Sequence, residues 1–181
     1  MDGIPATVLV VEDEPDLADL YSAWLAPSYD VRTAYTGEEA LELFDTTVDA
    51  VLLDRNLPKR YGDDVLRELR HQTDTPVAFV TGVDPTPEIL HLAVDLYRRK
   101  PVTKETLEET VKELLFLGAL DDVSRQSLAL MDKVKQLGAT VSGLIPTPTE
   151  VARMLDGAET LAQVDNVVGT VYPPDDDLQE H

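Results

Sequence analysis

Three short runs in this sequence are apolar without alternation, and that feature restricts the chain to very few architectures. Residues 6–11 read ATVLVV, 50–53 read AVLL and 77–80 read VAFV. A strand solvated on one face alternates apolar with polar residues. An unbroken apolar run suits a strand covered on both faces, as in a parallel sheet. Between the runs the spacing turns helical. After EDE comes Pro15, suited to a first helical turn, and Leu17, Leu20, Tyr21, Trp24 and Leu25 follow at helical intervals. Tyr29 to Ala34 reads as a further strand, and Thr36-Gly-Glu-Glu opens a helix carrying Ala40, Leu41 and Phe44. A helix with Val65, Leu66 and Leu69, a short helix near 87–94 and a last strand near 96–99 complete the series. Five such units predict a doubly wound α/β fold, a five-stranded parallel sheet with helices on both faces.

The remainder reads as a C-terminal helical extension. Residues 104–117 are strongly periodic through Leu107, Val111, Leu114 and Leu115, and Gly118 is placed to end that helix. Residues 122–137 predict another helix, with Leu128, Met131, Val134 and Leu137 on one side. Gly138, Gly143, Pro146 and Pro148 mark a break, and helical spacing resumes over 149–167 through Val151, Leu155, Leu161 and Val164. The end, YPPDDDLQEH, has low hydrophobicity, which predicts a disordered acidic tail over 169–181. Two helices of this size bury little alone. They must pack on the sheet domain or on another chain.

Composition removes several function classes. There is no cysteine, hence no disulfide framework and no thiolate metal site. His71, His91 and His181 are scattered and lack metal-ligand spacing. The start, MDGIPATVLVVEDE, has no basic leader before an apolar core, and no apolar run approaches the roughly 20 residues of a membrane span. A cytoplasmic protein without membrane contact is the expectation. The formal charge of -20, from 35 acidic and 15 basic residues, repels nucleic acid phosphates and argues against direct duplex binding. Self-repulsion of that size is mild only when screened, so a halophilic, high-salt interior is expected.

In a parallel sheet the carboxyl ends of the strands share one rim, where functional residues are expected. Glu12 and Asp13 end the first strand, Asp54 the third, Thr81 the fourth and Lys100 the fifth. Any one of these is unremarkable, since a lone aspartate at a strand end is usually a cap or a solvated loop residue. Their joint placement is the signal. Packed carboxylates repel, and a hard cation relieves them; oxygen ligands without sulfur favour magnesium. Asp54 would be the nucleophile toward a phosphoryl group. Asp13 and Asp54 would hold Mg2+ directly, Glu12 through water, and Asn56 through its backbone carbonyl. Lys100 would neutralise one phosphate oxygen and the Thr81 hydroxyl would donate to another.

The pieces VLVVEDE, LLDRNLP with Asp54 and Pro58, VTG with Thr81, and RKP with Lys100-Pro101 resemble a two-component response regulator receiver across residues 6–117. That resemblance implies a flavodoxin-like sheet of order 2-1-3-4-5 and phosphoryl transfer from a histidine kinase or phosphotransfer protein. It also implies magnesium dependence, self-catalysed phosphorylation and slow autodephosphorylation, with no dedicated metabolic activity. It further implies a relay in which phosphate draws Thr81 inward and the Tyr97 ring turns into the space left. Two features depart from the pattern. The stretch from Thr81 to Lys100 is short, which predicts a reduced fourth helix. Arg98 and Arg99 stand where apolar residues are commoner, reaching either acidic helix residues or the surface. Both departures lie on the side used for dimerisation, and they argue against the common dimer mode.

The tail has a more limited resemblance, best in DDVSRQSLALMDKVKQLGA, to the HalX-type output region of haloarchaeal response regulators. The domain expectations are a receiver over 1–117, a helical HalX-like region over 118–168 and the acidic tail. The leading function is a signalling switch with a helical output that contacts a protein partner or forms a homodimer. The alternatives are a transcriptional regulator whose C-terminal region meets DNA, and a Mg2+-dependent phosphohydrolase.

Overall fold

In the computed structural model the described residues are 5–138. The readings made for 143–148, for the helix over 149–167 and for the tail over 169–181 fall outside them. The described chain runs β1 (Thr7–Val11), α1 (Pro15–Leu25), β2 (Asp30–Ala34), α2 (Gly37–Leu43), β3 (Ala50–Leu53), α3 (Gly62–Gln72) and β4 (Val77–Thr81). A 3-10 helix (Pro87–His91), β5 (Leu96–Arg99), α4 (Lys104–Gly118) and α5 (Asp122–Gly138) follow. All strand pairings are parallel and the order is β2-β1-β3-β4-β5, as expected.

The unbroken apolar runs are explained by what covers them. Leu9, Val11, Val51, Leu53, Val77 and Phe79 point to one face and pack with Ala40, Val65, Leu66, Leu69 and Ile89. Val8, Val10, Ala50, Leu52, Ala78 and Val80 point to the other and pack with Tyr21 and Leu25 of α1 and Leu107, Val111 and Leu114 of α4. Each such fully buried Val or Leu contributes roughly 1.5–3 kcal/mol relative to exposure, so neither face tolerates a polar alternation. Local chemistry sets the helix starts. Pro15 occupies the first turn of α1. Thr36 Oγ1 accepts the Glu39 N–H at 3.1 Å while Glu39 Oε2 accepts the Tyr35 N–H at 2.7 Å, a reciprocal clasp at the head of α2.

Two details differ from the spacing argument. Leu20 on α1 is 43% exposed, and Ala18 takes the inward position instead. On α5 only Leu137 of the expected stripe is buried; Leu128, Met131 and Val134 are half-buried, while Ser127, Ala129 and Lys133 are covered. The physical reason is that α5 is fastened by polar bonds rather than by an apolar ridge. It lies along the open edge of the sheet, with Leu137 joining the core on one face and Leu128 packing against the core on the other. It touches β5, the 3-10 helix and α4. The reduced connection between β4 and β5 is confirmed, since the expected helix near 87–94 is a single 3-10 turn. The first turns of the extension therefore pack on the chain's own sheet.

Candidate functional site

Because the sheet is parallel, each strand delivers its exit residue to the same rim, and the backbone pairing continues past the strand ends. The Glu12 N–H donates to Ala34 O at 3.0 Å, the Asp54 N–H to Val11 O at 2.9 Å and the Lys100 N–H to Thr81 O at 2.8 Å. Glu12 and Asp54 are thus held rigidly and are 1% and 5% exposed, whereas Asp13, on the loop side, is half-buried. One carboxylate oxygen from each of Glu12, Asp13 and Asp54 lies within 4.8 Å of the others. Lys100 Nζ reaches across the pocket, 2.7 Å from Glu12 Oε2 and 2.6 Å from Asp54 Oδ2. Asp54 Oδ1 accepts the Asn56 N–H at 3.0 Å. Thr81 is fully buried at the end of β4.

Three carboxylates face one ammonium in a partly dry pocket, and the charges respond. Burial pushes the Glu12 carboxyl above its ordinary range, only partly opposed by the Lys100 hydrogen bond. Burial works against the charged form of Lys100, but its bonds to Asp54 and Glu12 outweigh that and raise its pKa. The donor set is oxygen-only and close enough for a single small hard cation, so the residues present fit Mg2+.

The sequence thus located Glu12, Asp13, Asp54, Asn56, Thr81 and Lys100 on one rim. It did not reveal their supports. Arg55, directly after Asp54, makes a paired contact with Asp63 of α3 through Nε at 2.7 Å and Nη2 at 2.8 Å, and its guanidinium lies 5.9 Å from the Phe79 ring centre. Gly62 opens α3 where a Cβ would stand 2.4 Å from Asp54 O, so only glycine lets the helix approach this closely. No short-range signal marks either contact.

The Tyr97 ring lies inward and fully buried, edge-on to Phe79, and its hydroxyl donates to Val83 O at 2.8 Å. Arg98 resolves to the acidic helix residues: it bonds Asp132 of α5 at 2.7 Å and pairs with Glu113 of α4. Arg99 reaches the surface, where it meets exposed Asp84 at 2.7 Å.

Residues 8–112 match the family model for the response regulator receiver domain. The chain belongs to that family. The receiver is 46% identical over 125 residues to a Haloferax volcanii protein named "Putative transcriptional regulator", a match covering 68% of this chain and 22% of that protein. It is 33% identical over 112 residues to the transcriptional regulatory protein CpxR of Escherichia coli K12, covering 60% of this chain and 48% of CpxR. The match therefore spans about a fifth of the first relative and about half of the second. Among solved structures, a CheY-like receiver from Methanospirillum hungatei superposes with a TM-score of 0.58 at 26% identity, covering 63% of this chain and 96% of that one. TrrA from Thermotoga maritima, solved in complex with Mg2+ and beryllium fluoride, gives 0.55 at 34% identity, covering 60% and 98%. Among the described residues no helix is long and apolar enough to cross a membrane.

Proposed function

We propose that the chain is a phosphorylation-dependent signalling switch in which Asp54 accepts a phosphoryl group from the phosphohistidine of a histidine kinase or phosphotransfer protein. One observation carries the reading: three carboxylates converge within 4.8 Å on a rim that Lys100 bridges. An Asp54 oxygen attacks phosphorus, the new O–P bond forms as the donor's P–N bond breaks, and the departing imidazole nitrogen takes up a proton. Asp13 and Asp54 would ligate Mg2+, with Glu12 acting through a water and Asn56 through its carbonyl. When bound, the ion would neutralise charge spread over the phosphoryl oxygens. Lys100 exchanges its contact with Asp54 for one with a phosphoryl oxygen, and the Thr81 hydroxyl donates to another. Among the described residues nothing beyond the phosphoryl pocket suggests a general acid or base for rapid turnover, which favours a slowly decaying acyl phosphate over a hydrolase.

The test is intact-mass analysis after incubation with a small phosphodonor and Mg2+. The wild type gains one phosphoryl group and Asp54→Ala gains none; a gain that persists in the variant rules out Asp54 as the acceptor.

The output is proposed to be helical and to act through a protein partner or a second copy, in keeping with the HalX-like character of the sequence after 118. The names of the curated relatives favour a second reading, an output in transcription. The charge of -20 argues that any DNA contact needs high salt or a partner. Footprinting in molar KCl separates the two, because protection by this chain alone supports direct DNA contact.

A further inference from the structure

The edge of β5 is not left open. Tyr97 pairs with Phe79 on β4, so its own N–H points away from the sheet, and it donates to Asp132 Oδ2 of α5 at 2.8 Å. The second oxygen of the same carboxylate accepts Arg98 Nη1 at 2.7 Å, and that nitrogen also donates to Tyr97 O at 2.9 Å. One side chain of α5 therefore holds the Tyr97 N–H directly and its carbonyl through Arg98. At the other end of the residue the Tyr97 hydroxyl donates to Val83 O, and the Val83 N–H donates to Thr81 Oγ1 at 3.3 Å. A continuous series of hydrogen bonds runs from the acceptor rim to the helix.

We propose that α5 is the element this receiver regulates, and that occupancy of Asp54 is transmitted to it through Thr81, Val83, Tyr97 and Asp132. The proposal rests on Asp54 being the phosphoacceptor. Its direction follows from the hydroxyl of Thr81. The oxygen accepts the Val83 N–H, and among the described residues no acceptor for the hydroxyl proton is in place. A phosphoryl oxygen on Asp54 takes that proton and holds Thr81 and Val83 in the arrangement in which Val83 O keeps the tyrosine inward. Phosphorylation therefore tightens α5 on β5. The construction of the seam suits a regulated element. Apart from Ala129 and Leu137, the covered residues of α5 are Ser127 and Lys133, and the helix is held largely by polar bonds rather than by an apolar ridge. By linkage, α5 docking and occupancy of Asp54 favour each other by the same factor.

Hydrogen exchange on the full chain, with Mg2+ and with or without beryllium fluoride as phosphoryl analogue, tests this. Binding is followed independently by 19F NMR and must vanish in Asp54→Ala. The expected result is that exchange across 122–138 slows about tenfold, within the roughly 5–150-fold span of allosteric coupling. Asp132→Ala speeds α5 exchange and weakens fluoride binding by a matching factor. Tyr97→Phe keeps the ring and the backbone bond but removes the link to Val83, so it guards against simple misfolding and should abolish the slowing. Fluoride bound at Asp54 with α5 exchange unmoved overturns the proposal and leaves the phosphoacceptor reading standing. No fluoride signal in the wild type, together with no mass gain from the phosphodonor, overturns both.

Discussion

Two lysines, one at each functional end of β5, show how differently this chain uses buried charge. Lys100 sits on the rim among carboxylates, with its ammonium shared between Glu12 and Asp54. Lys133 is buried under α5, 7% exposed, with its ammonium donating to the carbonyl of Leu92 at 2.7 Å. The first is held charged by its partners and its pKa rises; burial lowers the pKa of the second. The same division holds around them. The rim aims surplus negative charge at one point, as a site that must recruit cations does. Along the α5 seam the cationic heads end on fixed acceptors: Arg70 on Ala93 O, Thr75 O and Asp95, and Arg125 on Asp95 and Asp74 O. Among the described residues every buried side-chain nitrogen and oxygen has a partner. A recognition site leaves charge unbalanced, whereas a structural seam balances it internally.

The largest expected effect is on the seam. Asp95 accepts Arg70 Nη2, both Arg125 donors and the Val77 N–H, each at 2.8–2.9 Å. Asp95→Ala removes the one carboxylate shared by two half-buried guanidinium groups and leaves the Val77 amide without its acceptor, and breaking a buried pair in this way costs about 3–5 kcal/mol. Urea unfolding measures it. A loss below about 1 kcal/mol, the scale of an exposed pair, would erase the contrast between seam and surface. On the rim, Lys100→Met should leave the fold in place but slow phosphoryl uptake by about 10²–10³-fold, the usual cost of removing one charge-stabilising donor. The rate of mass gain with a small phosphodonor reads this out. An unchanged rate would mean that Lys100 only shields Glu12 from Asp54.

The two regions were also unequally legible. Glu12, Asp13, Asp54 and Thr81 each follow an apolar run that ends at a known point, and Lys100 follows the last strand, so strand spacing and parallel topology bring them together without knowledge of any side-chain contact. The seam gives no such pattern. Asp132 meets Tyr97 across 35 positions and Arg125 meets Asp95 across 30. Helical spacing on α5 pointed to Leu128, Met131 and Val134 because an amphipathic stripe is the usual way a helix binds a sheet. Here a sheet edge with unpaired backbone groups selected a carboxylate instead. The tie between the Tyr97 backbone and α5 was hidden for the same reason. The short link between β4 and β5 was visible as missing residues, but not what fills the space beside it.

A broader test applies to the surface that surrounds both regions. With a formal charge of -20, the chain should gain stability as KCl rises, because the screening length falls from roughly 10 Å at 0.1 M to about 3 Å at 1 M. The rim and the seam, being largely buried, are screened much less. Urea midpoints that stay flat or fall between low and molar KCl would remove the halophilic expectation without touching either.

The smallest effect separates the lysines themselves. Lys133→Met gives up one charged-group hydrogen bond to a carbonyl, worth about 1.5–3 kcal/mol, but also relieves the burial of an ammonium, leaving an apolar chain of similar length. It should therefore shift stability at pH 7 by no more than about 1 kcal/mol in either direction, since replacing buried ions is often neutral. The pH dependence is the sharper measurement. Burial holds the folded pKa of Lys133 below its ordinary value of 10.5, so between those two values the unfolded chain binds the extra proton and the Lys133 contribution to stability rises with pH. Lys100 behaves oppositely. With a folded pKa above 10.5, its contribution is complete below that pH and is lost only as pH climbs through the folded value. Tyr21, pushed up to about 12 by burial, also loses stability only above pH 10. Subtracting the Lys133→Met profile from the wild type cancels these shared contributions and leaves a difference that climbs toward pH 10.5. A flat difference would mean that Lys133 keeps its proton in the folded chain as readily as in the unfolded one, and the two ends of β5 would then treat buried charge alike.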